Sequence, residues 1–189
     1  MHEKLLRSPD STFLWYPLNP SSSFHLPVGQ HVVSVGSINI NPSNPDAEPI
    51  VDYRALSNPI DVDLMVEYIQ FYRRFLKSPD FAPYSPTAVN PPDSLEGEGL
   101  KTWVRDNYVA STYHPVGTAG KKPREKGGVV DEELRVHGVK KLRVVDASVI
   151  PLIPAANTQS TVYMIAEKVS FILPFLPFIC YMRDRANVV

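Results

Sequence analysis

The chain has almost no cysteine: Cys180 is the only one among 189 residues. No intramolecular disulfide can form, so cysteine usage does not indicate a redox compartment. The five histidines are scattered along the chain, and with a single cysteine they show none of the spacings that are typical of zinc sites. We therefore predict no metal site.

The sequence also lacks an excess of charge and a long hydrophobic run. Its formal net charge of -1 gives no indication of a nucleic-acid partner or of binding to an anionic membrane surface. The most apolar stretch, 171–182, is shorter than the roughly 20 residues that cross a bilayer and contains Pro174 and Pro177. We predict no transmembrane segment and interpret 173–189 as an apolar tail that packs on a partner surface.

No apolar segment follows the charged residues near Met1, so we predict no signal peptide, and an intracellular location is favoured. Proline, by contrast, is abundant, with 19 residues that cluster in the first half of the chain. This predicts an irregular segment over 1–26 and turns thereafter. Alternation of apolar and polar residues over 31–40 predicts a strand with a bulge at Gly36.

Helical spacing of apolar residues predicts a helix over 60–77 and a second helix over 95–107. The second half of the chain contains three short apolar runs, which predict strands at 129–131, 134–136 and 142–145. A final helix is predicted from Thr158, where polar residues precede a helical apolar pattern. The basic run 121–126 contains an acid and is followed by two glycines, so we interpret it as a solvated loop.

Three positions could carry chemistry. His114 precedes a proline, which keeps its backbone extended, and its imidazole could exchange protons near neutral pH, although a lone histidine can equally be structural. Asn157 lies at the start of the last helix, where it could cap the helix or contact a substrate. Asp146 ends a predicted strand, where either a ligand or an ordinary turn would fit.

Several linked motifs resemble the C-terminal region of the glucose-methanol-choline (GMC) oxidoreductases, in particular the branch of aryl-alcohol oxidase and glucose oxidase. They are Tyr113-His114-Pro115-Val116-Gly117-Thr118, Gly127-Gly128-Val129-Val130-Asp131, Leu134-Arg135-Val136, Leu142-Arg143-Val144-Val145-Asp146-Ala147-Ser148, and Asn157-Thr158-Gln159. The resemblance covers 27–172. It implies an α+β fold, in which 27–141 belong mainly to an antiparallel substrate-domain sheet with packed helices. Residues 142–172 would return as the last strand and helix of an FAD-binding domain.

The resemblance implies FAD-dependent oxidation of the CH–OH group of a small-molecule alcohol. His114 matches the catalytic base, which takes the hydroxyl proton while hydride leaves for flavin N5. Asn157 matches the second catalytic residue, which hydrogen-bonds the substrate oxygen. Segments that contact the cofactor are matched by Asp146, Ala147, Asn157, Thr158 and Gln159.

The sequence departs from the family pattern in two places. Its only Gly-x-Gly is at Gly97 and Gly99, which follows no predicted strand, so the dinucleotide-binding Rossmann part is absent. Lys121 and Lys122 replace a more apolar continuation after Thr118 and put charge near the site. We expect either the C-terminal portion of an oxidoreductase, which is truncated or completed by a separate Rossmann-containing polypeptide, or a catalytically inactive truncated paralogue that acts as a binding module.

Overall fold

The computed structural model describes residues 14–15, 28–84, 90–109 and 113–172. Strand β1 (Leu14–Trp15) pairs antiparallel with β2 (Val28–Gly29), so the segment predicted to be irregular contributes one short strand. The rest of 1–26 and the apolar tail 173–189 lie outside the described residues.

A second antiparallel pair is formed by β3 (Ser37–Asn39) and β4 (Ile50–Asp52). The strand predicted over 31–40 is thus only three residues long. It is short because the backbone N–H groups of Val33 and Ser34 donate to a carboxylate rather than to a neighbouring strand. At Gly36, where the sequence predicted a bulge, the backbone passes very close to that of Asp52. A Cβ at Gly36 would clash with the Asp52 carbonyl oxygen.

Two helices lie where helical spacing predicted them. Helix α1 (Pro59–Leu76) begins with a proline, and the Asn58 side chain accepts a hydrogen bond from the N–H of Ile60 at 3.1 Å. Helix α2 (Gly97–Asn107) packs against α1. Their shared core contains Val62, Met65, Val66, Ile69, Leu100 and Val104, all buried. The apolar residues whose spacing predicted the two helices thus form the contact between them.

The prediction of three regular strands over 129–145 was wrong. Within the described residues they are reduced to isolated bridges between Lys121 and Val130, Val130 and Val136, and Arg135 and Arg143. The backbone turns too often for a ladder, with φ values of +62° at Leu134 and +61° at Lys141. These turns leave Leu142, the expected first residue of a buried strand, 47% exposed.

A second core cluster forms around this irregular segment. It consists of Val130, Leu134, Val149 and Val169. Val169 lies on helix α3 (Thr158–Ile172), which begins at the predicted residue. Among the helices of the described part of the chain, none has the length and apolar character needed to span a bilayer.

Candidate functional site

A cavity of about 800 Å³ lies where the two halves of the described chain meet. Its wall includes apolar side chains of α1 and α2, the segments 28–38 and 51–56, the turn that carries His114, and the segment 148–153. Apolar lining residues include Val32, Met65, Ile69, Trp103, Val104 and Ile150. A largely apolar cavity of this size with a few polar groups is typical of a small-molecule site.

His114 lies in the cavity wall on a turn that the fold holds in place. The turn is bonded to a short 3-10 helix (Ala147–Val149), because the N–H of Ala119 donates to the carbonyl of Ser148 at 2.9 Å. Gly117 has a φ of +88°, and a Cβ there would lie 3.1 Å from the carbonyl oxygen of Ile150. These contacts hold the backbone of the turn in place. The His114 side chain is half-buried and lines the cavity.

Asp61 is a second polar group of the wall, and it is only 3% exposed. Its carboxylate accepts hydrogen bonds from the N–H of Val33 at 2.8 Å, from the N–H of Ser34 at 2.7 Å, and from the Ser34 hydroxyl. These bonds join the first turn of α1 to the segment that forms one side of the cavity. Three donors satisfy the charge, which makes its burial tolerable.

Two tyrosines pack near this carboxylate. Burial, with a further contribution from the Asp61 charge, raises the pKa of Tyr68 to about 12. The same two causes raise the pKa of Tyr108, which lines the cavity. Both phenols are therefore neutral at physiological pH and can serve only as hydrogen-bonding groups there.

The raised pKa of Tyr68 makes the stability of the fold depend on pH. The folded state keeps a proton that the unfolded chain loses, so the free energy of unfolding should decrease as pH rises from 10 to about 12. Denaturant unfolding at pH values across this window should show a shallower decrease for Tyr68→Phe than for wild type. Tyr163→Phe, which changes an exposed tyrosine, is the matched control and should keep the wild-type slope; equal slopes for both variants would contradict the prediction.

Asp146 caps the 3-10 helix rather than facing the cavity. Its carboxylate accepts hydrogen bonds from the N–H of Ser148 at 2.8 Å and from the Ser148 hydroxyl. Ala147 is the first residue of that helix, and Ser148 is a cavity-lining residue. The end of the predicted strand is thus a capped turn, which was the alternative that the sequence left open.

The remaining predicted residues lie at the start of α3. Asn157 and Gln159 are exposed, whereas Thr158 is buried. None of these three, and neither Asp146 nor Ala147, belongs to the cavity lining. The structure therefore brings His114 into the wall of the cavity and leaves Asn157 on a surface outside it.

Sequence reasoning missed several residues of the cavity wall. Asp61, Tyr108 and Trp103 all line it. Lys122 lines it too, although the sequence predicted that it lies in a solvated loop, with its charge near the site. The only available signal for Asp61 was an acid in the first turn of a helix, which is equally typical of simple capping. For Lys122 the signal was its position eight residues after His114.

Comparison with known proteins identifies the family of this chain. The family model of the C-terminal GMC oxidoreductase domain matches residues 32–166. The chain belongs to the GMC oxidoreductase family. The predicted resemblance is confirmed, and so is the predicted α+β fold of the C-terminal region.

Individual relatives agree with this assignment. A pyranose dehydrogenase from Agaricus campestris is 37% identical over 147 residues, which are 77% of this chain and 25% of that protein. The solved structure of a fungal aryl-alcohol oxidase, 37% identical, matches with a TM-score of 0.84 over 90% of this chain and 29% of its own. The formate oxidase of Aspergillus oryzae, studied for the modification of its FAD, is 32% identical, with a TM-score of 0.64 over 85% and 29%.

The chain spans about a quarter of the length of the curated relatives that it matches. GMC oxidoreductases are FAD-dependent flavoproteins, and the family includes enzymes that act on alcohols. The chain thus corresponds to the C-terminal, substrate-domain region of the proteins of this FAD-dependent oxidoreductase family.

Proposed function

We propose that this chain supplies the substrate-side region of an FAD-dependent oxidoreductase that acts on the CH–OH group of an alcohol, with His114 as the catalytic base. One observation carries the proposal: His114, which matches the base of the family motif, lies in the wall of a largely apolar cavity of about 800 Å³. A small alcohol fits such a cavity with its hydroxyl group directed at the imidazole.

The role of His114 is to accept the hydroxyl proton. A base must lie within hydrogen-bond reach of the proton that it removes, and the anchoring of its turn to the 147–149 helix limits how far the imidazole can move. The apolar wall around it, with Met65 and Trp103, excludes water from the carbon that is oxidised. Bound FAD would supply the acceptor for the hydride that leaves that carbon.

The start of α3 fits the isoalloxazine end of FAD. The first turn of a helix has backbone N–H groups without intrahelical partners, and these suit carbonyl oxygens and developing negative charge. Asn157 and Gln159 are exposed beside that turn, where a bound cofactor can contact their side chains. We assign Asn157, Thr158 and Gln159 to cofactor contact, together with Asp146 and Ala147, which fix the neighbouring turn.

Asn157 has the second catalytic assignment, a hydrogen bond to the substrate oxygen. It lies outside the cavity wall, so this role requires the hydroxyl end of an alcohol bound in the cavity to extend past the His114 turn toward the start of α3. Its carboxamide could then donate to the oxygen while the His114 imidazole accepts the proton.

The partner of this chain is the remainder of the oxidoreductase, including a Rossmann part, whether in the same or a separate polypeptide. The support is the exposed apolar surface of the β3–β4 pair and α3. Exposed residues there include Val35, Ile38, Ile40, Ile50, Val51, Met164 and Phe171. Apolar side chains grouped in this way are typical of a surface that another segment covers.

Reconstitution tests the proposal. The chain is mixed with a separately produced GMC Rossmann part and FAD, desalted, and its visible spectrum is recorded before and after an alcohol is added without oxygen. We expect flavin absorbance to be retained and then lost on addition of the alcohol. The Rossmann part alone with FAD is the control. A complex that keeps FAD but is reduced by no alcohol would overturn the enzymatic proposal in favour of a binding module.

A further inference from the structure

The ionisable side chains of the cavity wall differ in whether they already have ion-pair or hydrogen-bond partners. Among the described lining residues, the ionisable side chains are Asp52, Tyr53, Asp61, Tyr108, His114 and Lys122. Asp52 forms an ion pair with Arg54 at 3.1 Å and also accepts the N–H of that residue at 2.9 Å. The Asp61 carboxylate has its three donors. The Asp52 charge is therefore paired with a cation, and the Asp61 charge is stabilised by neutral hydrogen-bond donors.

Lys122 is different, because its ammonium has no carboxylate partner within the part of the chain that the structure describes. Among the described lining residues, it is the one lysine, and no arginine lines the cavity. A cation beside the cavity attracts an anionic group of a ligand, and because Lys122 is solvent-exposed this attraction is screened by salt.

The backbone of Lys122 is held in place by close packing. A Cβ on Gly128 would lie 1.8 Å from the Lys122 carbonyl oxygen, so only glycine permits this approach. The same carbonyl lies 3.1 Å from Nε2 of His137. The position of Lys122 relative to the His114 turn is thus set by the fold.

The side chain of Lys122 folds back toward the His114 turn. Its Cε and Cδ would lie 3.4 and 3.7 Å from a Cβ on Gly120, and Gly120 itself packs against the carbonyl of Gly117. Gly117 belongs to the turn that carries His114. The aliphatic stem therefore covers this buried glycine, while the residue remains solvent-exposed, as expected for a lysine that keeps its charged end hydrated.

We infer that the cavity takes an alcohol that also carries a carboxylate, with Lys122 as the specificity-determining residue that binds the carboxylate. The inference rests on the proposed function, since it takes the cavity as the place where the alcohol binds. The apolar wall formed by Met65, Ile69 and Trp103 accommodates a hydrophobic body between the two polar ends. The substrate class is thus a hydroxy acid with an apolar or aromatic core.

Lys121 provides a matched control. It precedes Lys122 and carries the same charge, but it is not a lining residue, and its N–H donates to the carbonyl of Val149 at 2.9 Å. Lys121→Met and Lys122→Met remove the same charge from adjacent positions. Lys122→Arg keeps the charge at the cavity position.

The first measurement is calorimetric binding to the full chain of two probes, para-hydroxymethylbenzoate and the uncharged para-benzenedimethanol. We expect wild type to prefer the carboxylate by roughly fivefold, the upper end for a partly solvated charge pair, with a smaller preference at high salt. Lys122→Met should abolish the preference, whereas Lys121→Met and Lys122→Arg should retain it. A wild type that binds neither probe, or a preference that survives in Lys122→Met, would overturn the inference.

The second measurement compares kcat/KM for the two probes in the reconstituted oxidoreductase. It separates the failure of the charge assignment from the failure of the proposed function. Turnover of both probes with a ratio that Lys122→Met leaves unchanged overturns the specificity role and leaves the enzyme intact. Lys122-dependent binding of the carboxylate without any turnover supports the specificity role and counts against alcohol oxidation.

Discussion

His114→Ala is expected to lower the turnover of the reconstituted oxidoreductase by about 10²–10⁴-fold, the range typical for loss of a general base. The imidazole is the proposed acceptor of the hydroxyl proton, and alanine offers no group that could replace it. The substitution removes a half-buried side chain from the cavity wall, while the backbone bonds of the turn do not depend on it. The measurement is steady-state turnover with saturating alcohol.

Two controls make this result specific for proton transfer. His31 is also half-buried but is not a lining residue of the cavity, so His31→Ala should retain turnover within a few-fold of wild type. Imidazole added to the His114→Ala enzyme should restore part of the activity, because a free base can enter the space left by the side chain. Turnover close to that of wild type would remove His114 from the mechanism.

Asp61→Ala is expected to cause a large loss of stability, about 3 kcal/mol or more in the free energy of unfolding. The substitution leaves the N–H groups of Val33 and Ser34 and the Ser34 hydroxyl without their acceptor in a partly buried place, at a cost of about 1–3 kcal/mol for each group that stays unsatisfied. The midpoint of denaturant unfolding measures the loss. Because the segment 33–34 forms part of the cavity wall, probe binding should weaken as well.

Asp63 on the same helix is the matched control. It is exposed and pairs with Lys101 at 2.8 Å, and such surface pairs contribute little to stability. Asp63→Ala should therefore shift the unfolding midpoint only slightly. Asp61→Asn, which keeps one oxygen acceptor, should lie between Asp61→Ala and wild type, and it remains measurable if the alanine variant does not fold. Equal losses for Asp61→Ala and Asp63→Ala would refute the assigned role of Asp61.

The two sides of the cavity wall are held in place by different contacts. His114 and Lys122 belong to one short segment, 114–122, whose backbone is anchored to the 147–149 helix and to Gly128. Asp61 acts from the other side, where it ties 33–34 to the start of α1. The first segment supplies the chemical groups, and the second maintains the shape of the space that they face.

The amino-acid sequence by itself determined the helices and the family. Helices α1, α2 and α3 follow from apolar residues at helical spacing and from capping groups such as Asn58, which are local properties of the chain. The motif around His114 and its order relative to Asn157-Thr158-Gln159 indicated the GMC family, because linked motifs at fixed spacing are specific even where each one alone is weak.

Only the tertiary structure decided what faces the cavity. The contacts of Asp61 span 27 and 28 residues, and no local pattern encodes such pairings. The apolar run 142–145 was expected to be a strand, but in the described chain it forms a single isolated bridge, between Arg143 and Arg135, next to tight turns at Leu134 and Lys141. The backbone of Lys122, which also lines the cavity, packs closely against Gly128. A side chain's neighbours depend on how distant segments meet, and local periodicity carries no information about that.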